Sequence, residues 1–123
     1  MGIGRGMQVL NVALGGTLHR HIENHRHIDE NGVHHFCEHP LAVAPSCRLS
    51  SVLQNGMIVN SCHHQAIKTL GNGLVACATT DTVIEAVEHT SLPLFGVQWH
   101  PQHQENGAAL FDLFVSLCKE GAQ

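Results

Sequence analysis

Along the chain, hydrophobic and polar positions switch between a helical and a strand period in a readable order. In RGMQVLNVAL (5–14), Met7, Leu10 and Leu14 share one helical stripe with Val9 and Ala13 beside it, and Gly15-Gly16 stops the helix. HPLAVAP (39–45) reads as a short strand, and SCRLSSVLQNG (46–56) as a helix capped by Ser46 and ended at Asn55-Gly56. MIVNS (57–61) predicts a buried strand that runs into the polar stretch CHHQA (62–66). GLVACATT and VIEAVEHT, joined at Asp81-Thr82, predict an antiparallel pair. PLFGVQWHP (93–101) is the most apolar strand, ended by Pro101. A last amphipathic helix, from about Glu105 to Lys119, turns Leu110, Phe111, Phe114 and Leu117 inward. The sum is mixed α/β, opening on a helix with no strand predicted to feed it.

That opening carries the first chemical signal. GIGRGMQ (2–8) has the flanking glycines of a tight strand-to-helix turn that presents a nucleophile, yet its apex is Gly4, which has no side chain. The length of 123 residues suits one domain with one core, and 43% hydrophobic against 13% charged residues excludes a disordered chain. A net charge of -4, with only 6 scattered lysines and arginines, offers no field for nucleic acid. No apolar run reaches membrane-span length and nothing resembles a signal peptide, so the expectation is a cytoplasmic protein without a membrane partner. The 5 cysteines are odd in number and widely spaced, which fits free thiols in a reducing compartment. Of the 12 histidines, seven fall between His19 and His39. The pairs His19/His21 and His25/His27 would each share a face of an extended backbone, but no HExxH occurs and turn residues interrupt the stretch. It reads as a solvated, irregular connection; no metal site and no cofactor is expected.

Four segments, GIGRGMQVLNVALGGTL, VNSCHHQAIKTLGNGL, VIEAVEH and FGVQWHPQ, occur in an order and at separations that resemble the class I glutamine amidotransferase-like family. Within it they are most similar to the branch of gamma-glutamyl-gamma-aminobutyrate hydrolases and gamma-glutamyl peptidases. The resemblance implies an α/β fold, a flavodoxin-like three-layer sandwich. Residues 1–123 would form a single partial domain, its C-terminal half, starting at the nucleophile elbow and lacking the N-terminal strands. It also implies a Cys-His-Glu triad acting on gamma-glutamyl amide bonds. The family's elbow reads Gly-Ile-Cys-Arg-Gly and its last motif Trp-His-Pro-Glu. Laid on this sequence, the nucleophile position is Gly4, the base is His100 and the orienting acid is Gln102. The same matching assigns Arg5, Gln8, Ser61, His63, His64 and Gln65 to the substrate and oxyanion site.

Covalent hydrolysis needs a thiolate, a base and oxyanion donors. Gly4 supplies no sulfur, and the Gln102 amide carries no charge to stabilise an imidazolium. The expectation is therefore a degenerate, inactive gamma-glutamyl hydrolase whose remaining pocket takes a gamma-glutamyl small molecule. A live enzyme is the alternative, completed by a separate N-terminal half or using Cys62, which adjoins His63 and His64; a buried, inert thiol is the plainer reading of Cys62. A third reading is a non-catalytic protein that binds a ligand in the pocket or a metal through its histidines. Uncovered sheet edges and the apolar stripe of the first helix would call for a partner, either a second copy or the N-terminal half.

Overall fold

The computed structural model describes residues 1–105 and 107–121. The chain opens on a strand after all. β1 (Gly2–Ile3) pairs in parallel with a strand near the other end of the sequence, Gly2 against Gly96 and Ile3 against Val97. Two residues are too few to show a period of two, which is why the pattern began at the helix. α1 (Arg5–Ala13) follows and ends as predicted before Gly15-Gly16. Its buried face differs from the apolar stripe. Met7 is buried, but so are Gln8 and Asn11, whereas Val9 and Val12 are exposed. The two amides turn inward because each finds acceptors there, Gln8 on Gln65 and Gln98 and Asn11 on Thr17 and Thr69.

The histidine-rich stretch is more ordered than the sequence implies. It holds β2 (Thr17–His19), β3 (His27–Ile28), β4 (His34–His35) and β5 (Cys37–Pro40), with β3 and β4 forming a small hairpin. β6 (Ala42–Val43) is separated from β5 by Leu41, so the single strand expected over 39–45 is two strands in different sheets. The helix expected over 46–56 is one 3-10 turn, Arg48–Ser51, whose N-cap is Cys47 rather than Ser46. Ser50 and Ser51 each donate a hydroxyl back to the carbonyl three residues earlier, and such bonds compete with α-helical continuation.

β7 (Ile58–Ser61) pairs with β5, and β8 (Ala66–Thr69) with β2. Ile58 is exposed and Val59 buried, so β7 is half-buried rather than wholly so. β9 (Leu74–Thr80) and β10 (Val83–His89) form the predicted antiparallel pair, and β11 (Phe95–Val97) lies beside β10. Pro101 does not end β11, which stops at Val97. It opens a 3-10 turn, Pro101–His103, after Asn60 has captured both backbone groups of His100. α2 (Ala108–Gly121) is shorter at its start than predicted; Asn106, inside the predicted span, lies outside the described residues.

The main sheet runs β1-β11-β10-β9-β6. On one face Met7 of α1 packs with Ile67, Leu74 and Val87. On the other, Leu110 and Leu117 of α2 pack with Phe95, Val97, Trp99 and Leu41. Helix, sheet and helix make three layers, the mixed α/β arrangement anticipated. Among the described residues no helix is long and apolar enough to cross a membrane.

Glu88 of β10 ties the 3-10 turn to the sheet. Its carboxylate accepts the peptide N–H groups of Arg48 (3.1 Å) and Leu49 (3.0 Å) and the Arg48 guanidinium (3.3 Å). Burial works to raise its pKa, but these donors together outweigh burial and hold the carboxyl below its ordinary value. Glu88→Gln should therefore cost about 2 kcal/mol at neutral pH. A depressed folded-state pKa stabilises above the unfolded value and is lost as pH falls through the folded one. Denaturant titrations should accordingly show wild type and variant converging in strong acid.

Candidate active site

The turn from β1 into α1 places Gly4 at φ 58°, ψ -118°, buried, with its N–H donated to the Val97 carbonyl at 2.9 Å. This lies outside the small left-handed region open to other residues and is held only by glycine or by a strained nucleophile. A Cβ built on Gly4 would stand 3.0 Å from His100 Cε1 and 3.1 Å from Nε2. The backbone thus presents position 4 directly to the imidazole. Arg5, as the first residue of α1, has no intrahelical acceptor for its own peptide N–H. That is the place of an oxyanion donor in an elbow.

His100 is fixed from three sides. The Asn60 amide accepts its N–H and donates to its carbonyl, both at 2.9 Å. Phe36 meets the ring edge-on at 5.8 Å, and Gln102 Nε2 lies 3.2 Å from Nδ1. Partial burial, with smaller repulsion from His103, lowers the His100 pKa, so the ring is neutral at pH 7. Because the Gln102 amide donates to Nδ1, the single ring proton sits on Nε2, facing Gly4. A carboxylate at 102 would do the reverse: it would accept from Nδ1–H and leave Nε2 bare, the form a base requires.

A cleft of about 220 Å³ opens beside this pair, lined by Gly4, Arg5, Gln8, Cys62, His63, His64, Gln65, Gln98 and His100. Of the residues assigned from sequence, Ser61 and Gln102 are not in its wall. Ser61 is 1% exposed and turned inward, donating to the His25 carbonyl at 3.1 Å, because alternation along β7 buries every second side chain. His63 reaches the cleft but commits its ring elsewhere, with Nδ1 at 2.8 Å from the Gln65 carbonyl. Burial is the main cause holding its pKa below the ordinary histidine value. Cys62 is half-buried in the cleft wall rather than hidden, and among the described residues no hydrogen bond joins its thiol to an imidazole. Asn60, Gln98 and Phe36 escaped the sequence reading. Asn60 and Gln98 lay inside quoted motifs, whereas Phe36 belongs to the stretch read as solvated.

A family model described as peptidase C26 matches residues 1–102, the span from the elbow through Gln102. The chain belongs to the peptidase C26 family. Sequences similar to this one include protein NtpR of Enterococcus hirae, 38% identical over 90% of this chain and 52% of its own length. Gamma-glutamyl-gamma-aminobutyrate hydrolase PuuD of Escherichia coli is 34% identical over 94% of this chain and 52% of its own length. The chain spans about half the length of these curated relatives. The glutaminase domain of Trypanosoma brucei CTPS, solved with bound acivicin, superposes on 98% of this chain and 59% of its own, with a TM-score of 0.70 at 20% identity. That likeness shows the class I glutamine amidotransferase fold.

Proposed function

We propose that this peptidase C26 chain is a degenerate gamma-glutamyl hydrolase that keeps the cleft of its family without the chemistry. The observation that carries the reading is the pairing at the elbow. Position 4 keeps the dihedrals and imidazole proximity of a nucleophile site but bears only hydrogen. Gln102 compounds the loss by holding the neutral His100 ring with its proton toward the elbow. The kept cleft is rich in amide groups suited to the amino-acid end of a gamma-glutamyl compound: Gln8 donates to Gln98 at 3.1 Å and to the Gln65 carbonyl at 3.0 Å.

An active enzyme assembled with a separate N-terminal half is the competing reading of the same site. The exposed Val9 and Val12 beside Leu18, which border an open groove of about 420 Å³ on α1, favour some cover there. Such a cover supplies neither a thiol at Gly4 nor a charge at Gln102, so activity would have to run through Cys62. Incubation with gamma-glutamyl-gamma-aminobutyrate or glutamine, with and without the N-terminal half of a longer relative, separates the two. No turnover above a buffer blank is expected in either mixture. Turnover abolished by Cys62→Ser would establish the live enzyme instead.

A further inference from the structure

Behind the cleft, His25, His39, His63 and Glu85 converge from four separate segments of the chain. Glu85 is 0% exposed, and neither of its carboxylate oxygens has a hydrogen-bond partner among the described residues. Its neighbour on β10 shows how this fold ordinarily treats such a group, since Glu88 is held by peptide N–H donors and an arginine. Glu85 receives imidazoles instead. His25 Nδ1 stands 3.3 Å from Oε1 and 3.1 Å from Ser61 Oγ, a contact that an ion bound at Nδ1 would replace while the Ser61 hydroxyl keeps the His25 carbonyl as its acceptor. His63 Nε2 stands 3.9 Å from the same Glu85 oxygen, and both rings are buried.

The protonation of His63 is constrained by its other nitrogen. The Gln65 carbonyl can only accept, so Nδ1 carries a proton, and a neutral ring turns a bare Nε2 lone pair toward the Glu85 oxygen. Two acceptors then face each other in a buried site. Protonating Nε2 does not close the gap, because 3.9 Å is too long for an N–H···O bond. A metal ion does. Ligand atoms bound to zinc at about 2.1 Å stand up to about 4.2 Å apart, so both the 3.3 Å and the 3.9 Å separations are compatible with one shared ion. One ligand atom from each of His25, His63 and Glu85 falls within a common 4.8 Å limit. The bond from His63 Nδ1 to a backbone carbonyl is the outer contact that orients a metal-binding histidine.

We propose that His25, His63 and Glu85 form a structural binding site for a divalent transition-metal ion of the zinc class. Two imidazoles and a carboxylate suit zinc, cobalt or nickel better than calcium or magnesium. The ion supplies the counter-charge that Glu85 lacks and ties the histidine-rich segment to β10 and to the back wall of the cleft. His39, whose Nε2 is buried without a partner among the described residues and whose ring centroid lies 4.4 Å from that of His25, stands outside the group that shares the 4.8 Å limit, so the fourth position is left to a water. The second buried trio, Cys47, Cys77 and Glu88, is the poorer site because the Glu88 oxygens are already engaged.

The test is titration of the metal-free chain with zinc alone, followed by calorimetry and thermal unfolding, and with cobalt(II), followed by its visible spectrum. One tight equivalent that raises the melting temperature is expected, with four-coordinate cobalt bands and no sulfur-to-cobalt charge transfer. Glu85→Gln, nearly isosteric, should weaken that equivalent by about 100-fold or more. Replacing the exposed His19, His21, His27, His34 and His35 together by glutamine should leave it unchanged. The proposal is overturned by the absence of a saturable tight equivalent, by its survival in Glu85→Gln, or by its loss with the exposed histidines. If circular dichroism shows that Glu85→Gln does not fold, the parent chain decides: charge transfer or six-coordinate cobalt bands overturn the site, and four-coordinate bands without sulfur support it.

Discussion

Gly4→Cys combined with Gln102→Glu should create a rapidly alkylated thiol at the elbow, and turnover once the chain is joined to the N-terminal half of a longer relative. Either substitution alone should fail. With Gly4→Cys alone, the new side chain meets an imidazole whose proton faces it, because the Gln102 amide donates to Nδ1. Placing the wrong tautomer beside a nucleophile lowers turnover by about 10⁴-fold in the serine-protease triad. A similar gap is expected here between the single and the double variant. Gln102→Glu alone corrects the ring but has nothing to deprotonate. The effects should therefore be strongly non-additive, as for groups that act as a unit. Strain returns with the side chain: a non-glycine residue at φ 58°, ψ -118° costs about 1–3 kcal/mol, and His100 must yield by a few tenths of an ångström to the new Cβ. Denaturant titration of Gly4→Cys should show that loss. The relic-elbow reading fails if the double variant folds, yet its introduced thiol is alkylated no faster than Cys62 or Cys118. Gly4 would then be only a turn glycine.

The parts of this architecture that the sequence disclosed are those whose partners lie close by in the chain. β9 and β10 are joined by a turn with Asp81 at φ 51°, and each is long enough to declare its pattern. α2 is read from its own apolar stripe. By contrast, β2 pairs with β8 about fifty residues away, and neither THR-LEU-HIS-like nor AIKT-like tripeptide and tetrapeptide runs announce a strand on their own. The site was legible through motifs: Gly4, His100 and Gln102 each fall within one, Gly4 and His100 line the cleft, and Gln102 contacts the His100 ring. Asn60 was hidden because its role is to clamp a backbone, which no spacing rule encodes. His25 and Glu85 were hidden for a different reason. A histidine among many reads as solvated, and a glutamate within a strand reads as outward, until the β10 register irregularity around Ala86 and the packing of four segments bury both.

Asn11→Ala should be among the most damaging substitutions in the chain, at about 4 kcal/mol, although nothing in the apolar pattern of α1 marks the position. The side chain is 0% exposed and makes three bonds to the backbone of β2, of β8 and of the segment just after β8. Its Nδ2 donates to the Thr17 carbonyl at 3.2 Å and the Thr69 carbonyl at 3.1 Å, and its Oδ1 accepts the Gly71 N–H at 2.7 Å. These bonds join α1 to β2 and β8, whose own pairing includes Thr17 against Thr69. Gly16 is part of the same arrangement, because a Cβ there would collide with the Asn11 amide and stand 2.5 Å from the Thr69 carbonyl. Truncation leaves the buried Gly71 N–H without this partner and takes a donor from each of two part-buried carbonyls, each lost bond costing about 1–3 kcal/mol less whatever water can enter. Against a total stability on the order of 5–15 kcal/mol, that loss is large. Asn11→Asp separates hydrogen bonding from packing. It conserves the shape and the acceptor for Gly71 but replaces Nδ2 and its two N–H donors by one oxygen that faces both carbonyls, so it should destabilise about as much as alanine. Equilibrium unfolding in urea measures both. A loss under about 1 kcal/mol for either variant would show that α1 is held to β2 and β8 without this amide.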